Sequence, residues 1–112
     1  MSSTLRNKVQ LIGNLGSDPE VLTLESGRKL AKFSLATNES YRDNKGERQT
    51  NTQWHQVVAW GKTAELIETY VGKGKEVAVE GKLATRSWED SEGQRRYATE
   101  VICNHLLLLG KS

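Results

Sequence analysis

The chain predicts a mainly β fold, a five-stranded Greek-key barrel with one helix between its third and fourth strands. Three observations carry this. Short segments of alternating apolar residues recur, the period lengthens to that of a helix only between residues 63 and 71, and the order is three strands, one helix, two strands. With 112 residues and a 36% hydrophobic share there is material for one core and not for two, so residues 1–112 are expected to form one domain.

The first strand is Asn7 to Gly13, where Val9 and Leu11 alternate with Lys8 and Gln10 as a half-buried strand requires. Gly16-Ser17-Asp18-Pro19 is a turn, because glycine frees the backbone and proline fixes it. Extended segments follow around Val21 to Leu24 and Lys29 to Thr37, and in the second Phe33 and Leu35 share a face opposite Lys32 and Ser34. Residues 38–52 are polar, contain Gly46 and lack apolar periodicity, so they read as a long mobile loop. Loops of that length in a compact domain are functional or disordered. Gln53 to Trp60, rich in aromatic and β-branched residues, reads as a central strand.

From Thr63 to Val71 the apolar residues Ala64, Ile67 and Val71, with Leu66 and Tyr70, fall at helical spacing, and Gly72 and Gly74 supply the stop. Glu76 to Arg86 and Arg96 to Ile102 are two more strands, joined through SWEDSEGQ, whose Gly93 and acidic residues mark a hairpin loop. The leucines at 106–109 are a last extended piece, too short for a helix. This is the layout of an OB-fold barrel, and a generic α+β sheet satisfies the same order.

Sixteen basic against fourteen acidic residues leave a formal charge of +2, so attraction to a polyanion has to come from local clustering. The start MSSTLRNKVQ lacks the apolar stretch of a signal or anchor, and no later run approaches the roughly 18 apolar residues of a membrane span. A cytoplasmic, nucleoid-associated protein is expected. Cys103 has no partner for an intrachain disulfide and reads as a half-buried, inert thiol. His55 and His105 have no Cys, Asp or Glu at ligand spacing, so neither a metal nor a cofactor is expected.

Gly61-Lys62-Thr63 sits between a strand and a helix like the end of a phosphate-binding P-loop, yet Gln56 occupies the position where that pattern needs glycine. No nucleophile pairs with a base, and an enzyme is not expected.

The chemistry lies in the aromatic residues. On the strand ending at Trp60, the even residues Trp54, Gln56, Val58 and Trp60 oppose His55, Val57 and Ala59, and either face alone could be the core. The next strand breaks the tie. There Val77, Val79 and Leu83 form the buried set, which leaves Lys82, Arg86 and Trp88 outside, and a neighbouring strand can bring Trp54 and Trp60 to that same face.

Exposed aromatics beside cations stack unpaired bases while holding phosphates, each base contact being worth roughly 1–3 kcal/mol. Tyr41, next to Arg42, is a fourth stacking candidate, and Lys8, Lys62, Lys73, Arg86 and Arg96 are the basic candidates for phosphate. For each of these cations an ordinary solvated charge is an equal alternative.

The segments NKVQLIGNLGSDPEV, SLATNESYRD, TQWHQVVAWGKTAELI, KGKEVAVEGKL and TRSWEDSEGQRRYATEV resemble the bacterial and mitochondrial type of single-stranded DNA-binding protein, from about Leu5 to Val101. The resemblance implies an OB fold that assembles as a homotetramer and wraps single-stranded DNA in replication, recombination and repair, without catalysis. Trp54 and Trp88 match stacking tryptophans of that family, Trp60 stands where an aromatic is usual, and Tyr41 where tryptophan is frequent. His55 matches a histidine associated with subunit contacts, while spacing alone makes it a satisfied polar residue on the inner face.

Bacterial members usually continue into an acidic tip that recruits other enzymes, whereas here the last acidic residue is Glu100 and the sequence ends LLLLGKS. Recruitment through such a tail is not expected. Two other classes fit the same segments: a primosomal OB-fold adaptor bridging DNA and replication proteins, and a structural oligomerisation domain with the tryptophans in its interfaces.

Overall fold

The computed structural model describes residues 6–110, so the first five residues of the N-terminal stretch and the Lys111-Ser112 of the terminal GKS lie outside the described residues. The elements in chain order are β1 (Val9–Leu15), β2 (Glu20–Thr23), β3 (Lys29–Arg42), β4 (Arg48–Trp60), α1 (Gly61–Tyr70), β5 (Glu76–Glu89) and β6 (Arg95–Leu108). Neighbouring strands run β1-β5-β6-β4-β3-β2, and β1 also pairs with β3 at Asn14↔Ala36 and Leu15↔Leu35. That second pairing closes a five-stranded ring, β1-β5-β6-β4-β3, with β2 appended to β3. A closed ring leaves no long unpaired edge, and with the helix ahead of its last two strands this is the OB-fold barrel.

Alternation along each strand decides what fills the barrel. Ala31, Phe33 and Leu35 of β3, Val57 and Ala59 of β4, Val77 and Val79 of β5, and Val101 and Cys103 of β6 form one buried cluster. The helix adds Ala64 and Ile67, and its end is held by the Val71 N–H donating to the Ile67 carbonyl. Burying each of the larger side chains stabilises the fold by about 1.5–3 kcal/mol. Cys103 is more deeply buried than expected, and burial pushes its thiol up to about 11.

The stretch 38–52 is not a loop. β3 and β4 pair without interruption from Leu30↔Trp60 to Arg42↔Arg48, and only residues 43–47 turn. Beyond the barrel both faces of this hairpin arm meet water, so the side chains are polar on both sides and the alternation that betrays a strand disappears while the ladder persists. The second hairpin behaves alike. β5 continues to Glu89 and β6 begins at Arg95, which places Ser87 and Trp88 in strand rather than in the hairpin loop.

The same reason corrects Leu83. It has the parity of Val77 and Val79 but lies opposite Val101 at the rim where the arm leaves the barrel, and it is 49% exposed. The leucines from 106 are the end of β6, paired with Val77 to Val79 after a register shift at Glu80/Gly81.

Both arm tips use one device. Asp43 Oδ1 accepts the N–H groups of Lys45 and Glu47, and Asp90 Oδ1 those of Glu92 and Gln94, all at 2.9 Å. Gly46 and Gly93 take φ of 81°, the left-handed conformation that closes each tip. Asp-x-x-Gly is therefore a turn signal in both arms.

Candidate nucleic-acid interface

Since Val57 and Ala59 of β4 point into the core, Trp54, Gln56 and Trp60 point out. The parallel pairing of β4 with β6 sets Val57 beside Val101 and Val58 beside Ile102, and β6 in turn sets those two opposite Leu83 and Lys82. Lys82, Arg86 and Trp88 consequently share the outer face of Trp54, Gln56 and Trp60. Between the two rows runs β6 with Ile102, Glu100 and Arg96, so the rows are about 10 Å apart near the barrel. Six residues along β4 separate Trp54 from Trp60 by about 20 Å.

Trp54 is 60% exposed and Trp88 38%. The edge of the Trp54 ring comes against Gly16, where a Cβ would stand 2.5 Å from Cζ3, so a side chain at this position would push the ring aside. The guanidinium of Arg86 lies over the Trp88 ring at 4.6 Å, and its Nε donates to both carboxylate oxygens of Glu100 at 3.2 Å. Trp60 is half-buried, with the Arg28 guanidinium 4.9 Å from its ring. Gln56 Nε2 donates to Ser34 Oγ at 2.9 Å.

Tyr41 is brought to the neighbourhood but not to this face. The unbroken β3–β4 register gives it the parity of Leu35, so it projects from the side of the arm opposite Trp54, 55% exposed. Among the basic candidates, Lys8 Nζ meets Glu80 at 3.0 Å and Arg96 Nε meets Asp90 at 2.9 Å. Lys62, in the first turn of α1, and Lys73, after it, are exposed, and the Lys73 backbone N–H donates to Asp18 Oδ1 at 2.8 Å. His55 is half-buried, its Nε2 2.9 Å from Thr37 Oγ1.

Sequence reasoning missed Arg28, Glu100 and Gly16. The first needed the Leu30↔Trp60 pairing to bring the β2–β3 turn onto Trp60, and the second the Ala84↔Glu100 pairing that sets β6 beside Arg86. Nothing local announces either.

The carboxyls of the two tip aspartates are held below the usual carboxylate range, Asp43 first by the Glu47 N–H and Asp90 first by that of Gln94, with Gln49 and Arg96 adding to each. Among the described residues no three His, Cys, Asp or Glu side chains gather as a metal site would need, and no helix is long and apolar enough to cross a membrane.

The profile of the Single-strand binding protein family matches residues 6–109. "Single-stranded DNA-binding protein 1" of Chlorobaculum tepidum is 48% identical over 105 residues, covering 93% of this chain, and the chain spans 65% of that relative's length. A Plasmodium falciparum structure described as an SSB complex with ssDNA superposes with a TM-score of 0.84 at 40% identity, over 98% of this chain and all of that one. A deletion mutant of the single-stranded DNA binding protein from Thermus aquaticus superposes at 0.80, 28% identical, over 93% of this chain and 50% of its own. With the match running almost end to end and the barrel shared, the chain belongs to the single-strand binding protein family.

Proposed function

We propose that this chain binds and protects single-stranded DNA with little sequence preference, in replication, recombination and repair, and performs no catalysis. One observation carries the reading: Trp54 and Trp60 of β4 and Trp88 of β5 share one outer face, with the Arg86 guanidinium over the Trp88 ring. A base offers such a platform its flat side only when unpaired, which favours single strands over duplex. Trp54, Trp60 and Trp88 stack bases on that face, Gln56 lies between the first two, and Tyr41 extends the path around the arm. Lys8, Lys62, Lys73, Arg86 and Arg96 supply the phosphate contacts, Arg86 and Arg96 exchanging carboxylate partners for phosphate.

The same reading includes a homotetramer in the cytoplasm, at the nucleoid, with His55 among the subunit contacts. Ile12 and Leu107, 61% and 66% exposed, support it as apolar surface suited to a second copy. Tryptophan fluorescence of the full chain, titrated with oligo-dT at several salt concentrations, tests the binding. Quenching with an affinity that falls steeply with salt is expected. An absence of quenching, or affinity indifferent to salt, overturns it.

A further inference from the structure

Beside Trp54 the outer face opens into a mainly polar pocket of about 200 Å³, lined by Ser17, Asp18, Glu20, Lys32, Ser34 and Gln56, with Phe33 the one apolar residue among them. Its position is set by three contacts. Gly16, against the edge of the Trp54 ring, donates its N–H to the Ser34 carbonyl and leads directly into Ser17. Gln56, two residues from Trp54 on the same side of β4, is anchored through Nε2 to Ser34 Oγ. Asp18 is anchored by the Lys73 N–H on one oxygen, leaving the other uncommitted to that bond.

The lining says what enters. Two carboxylates against one lysine repel a phosphate, so the backbone of a bound strand is not the occupant. The space is polar, which suits no aliphatic group, and it adjoins a stacking platform. A base lying on Trp54 has its flat side on the indole and its hydrogen-bonding edge free, and that edge is neutral and polar. Gln56 retains one N–H and its carbonyl oxygen after bonding Ser34, so it can meet an edge with a donor and an acceptor. Ionised Asp18 and Glu20 only accept hydrogen bonds, and they favour an edge that carries an exocyclic amino group over one that presents carbonyl oxygens.

We propose that this pocket is a base-edge subsite: Gln56 holds the edge of the base stacked on Trp54, and Asp18 with Glu20 biases it towards amino-bearing bases, cytosine over thymine. The inference rests on single-stranded DNA binding by this face and adds a modest selectivity to it.

The test compares oligo-dC with oligo-dT, of about 16 nucleotides, the upper range for one OB fold, on the full chain and on two variants. Replacing Asp18→Asn and Glu20→Gln together keeps size and the Asp18 carbonyl oxygen but removes the acceptor-only character. Expected is a shift of the dC:dT affinity ratio towards dT by about threefold to tenfold, the worth of one hydrogen bond. Gln56→Leu should weaken both oligonucleotides with the salt slope unchanged. An unaltered ratio in the double variant, with binding retained, overturns the proposal. So does a Gln56→Leu effect that appears as a shallower salt slope, since that marks a phosphate contact. If the unaltered chain binds neither oligonucleotide, the binding reading itself fails and the subsite with it.

Discussion

Arg86 is held between two partners of opposite kind: Trp88, whose ring centre lies 4.6 Å from its guanidinium, and Glu100, whose carboxylate takes its Nε at 3.2 Å. The carboxylate orients the guanidinium and at the same time offsets its charge. A phosphate arriving at this face competes with Glu100 for the same donor.

Two substitutions separate these effects. Trp88→Ala should weaken single-stranded DNA by about 1–3 kcal/mol and leave the melting temperature nearly unchanged, since the ring sits on an outer arm. Glu100→Gln should tighten binding at low salt and steepen the salt dependence by up to about one unit of log–log slope, as Arg86 becomes available to phosphate. Titrations at four or five salt concentrations, paired with thermal melts, read both; weaker binding by Glu100→Gln would show that orientation outweighs charge.

Gly16→Ala should displace the Trp54 ring, because the new Cβ would stand 2.5 Å from Cζ3. The backbone at this position lies outside the left-handed region, so the fold tolerates the methyl. Affinity for oligo-dT is expected to fall by about 1 kcal/mol or more, a substantial part of one stacking contact, with a changed tryptophan emission in the free protein. Unchanged emission and affinity would mean that the ring does not depend on the glycine beside it.

At the arm tips the carboxyl of Asp90 is lowered from its ordinary 3.8, first by the Gln94 N–H and then by Arg96. A depressed carboxyl lends stability that is present above the unfolded value and is lost as pH falls through the folded one. Amide exchange of Glu92 and Gln94 should therefore stay protected from neutral pH down to about 4 and loosen below it. Asp43 should act likewise on Lys45 and Glu47. Chemical-shift titration of these amides checks the direction; loosening well above pH 4 would contradict it.

Leu35 is fully buried where β1 closes onto β3 and pairs across from Leu15. Leu35→Ala should cost about 2–5 kcal/mol, measured by urea denaturation, whereas Leu83→Ala, half in solvent at the barrel rim, should cost less than about 1 kcal/mol. Equal losses would place Leu83 in a core after all.

The contrast between Leu35 and Leu83 shows where a sequence stops being legible. Alternation reports burial, and inside the barrel it is faithful: Val9 and Leu11, Phe33 and Leu35, Val77 and Val79 all announce their faces, and the helix announces its period. On the arms there is no burial to report. Residues 38–52 lost their alternation without losing their ladder, and at the rim Leu83 kept its parity without keeping its cover. The Asp-x-x-Gly tip at residues 43–46 was the one local signal, repeated at 90–93, that a hairpin and not a loop lay there.

By itself, then, the sequence determined the order of strands and helix along the chain, most of the core lining and the outward parity of Trp88, because each follows from local periodicity. Tertiary structure decided the rest. Trp54 and Trp60 join Trp88 only through the Val57↔Val101 and Leu83↔Val101 pairings. Tyr41 falls on the other side of its arm, Arg28 reaches Trp60, and Glu100 reaches Arg86 through registers between strands distant in the chain. Register is a property of two segments at once, and no single segment carries it.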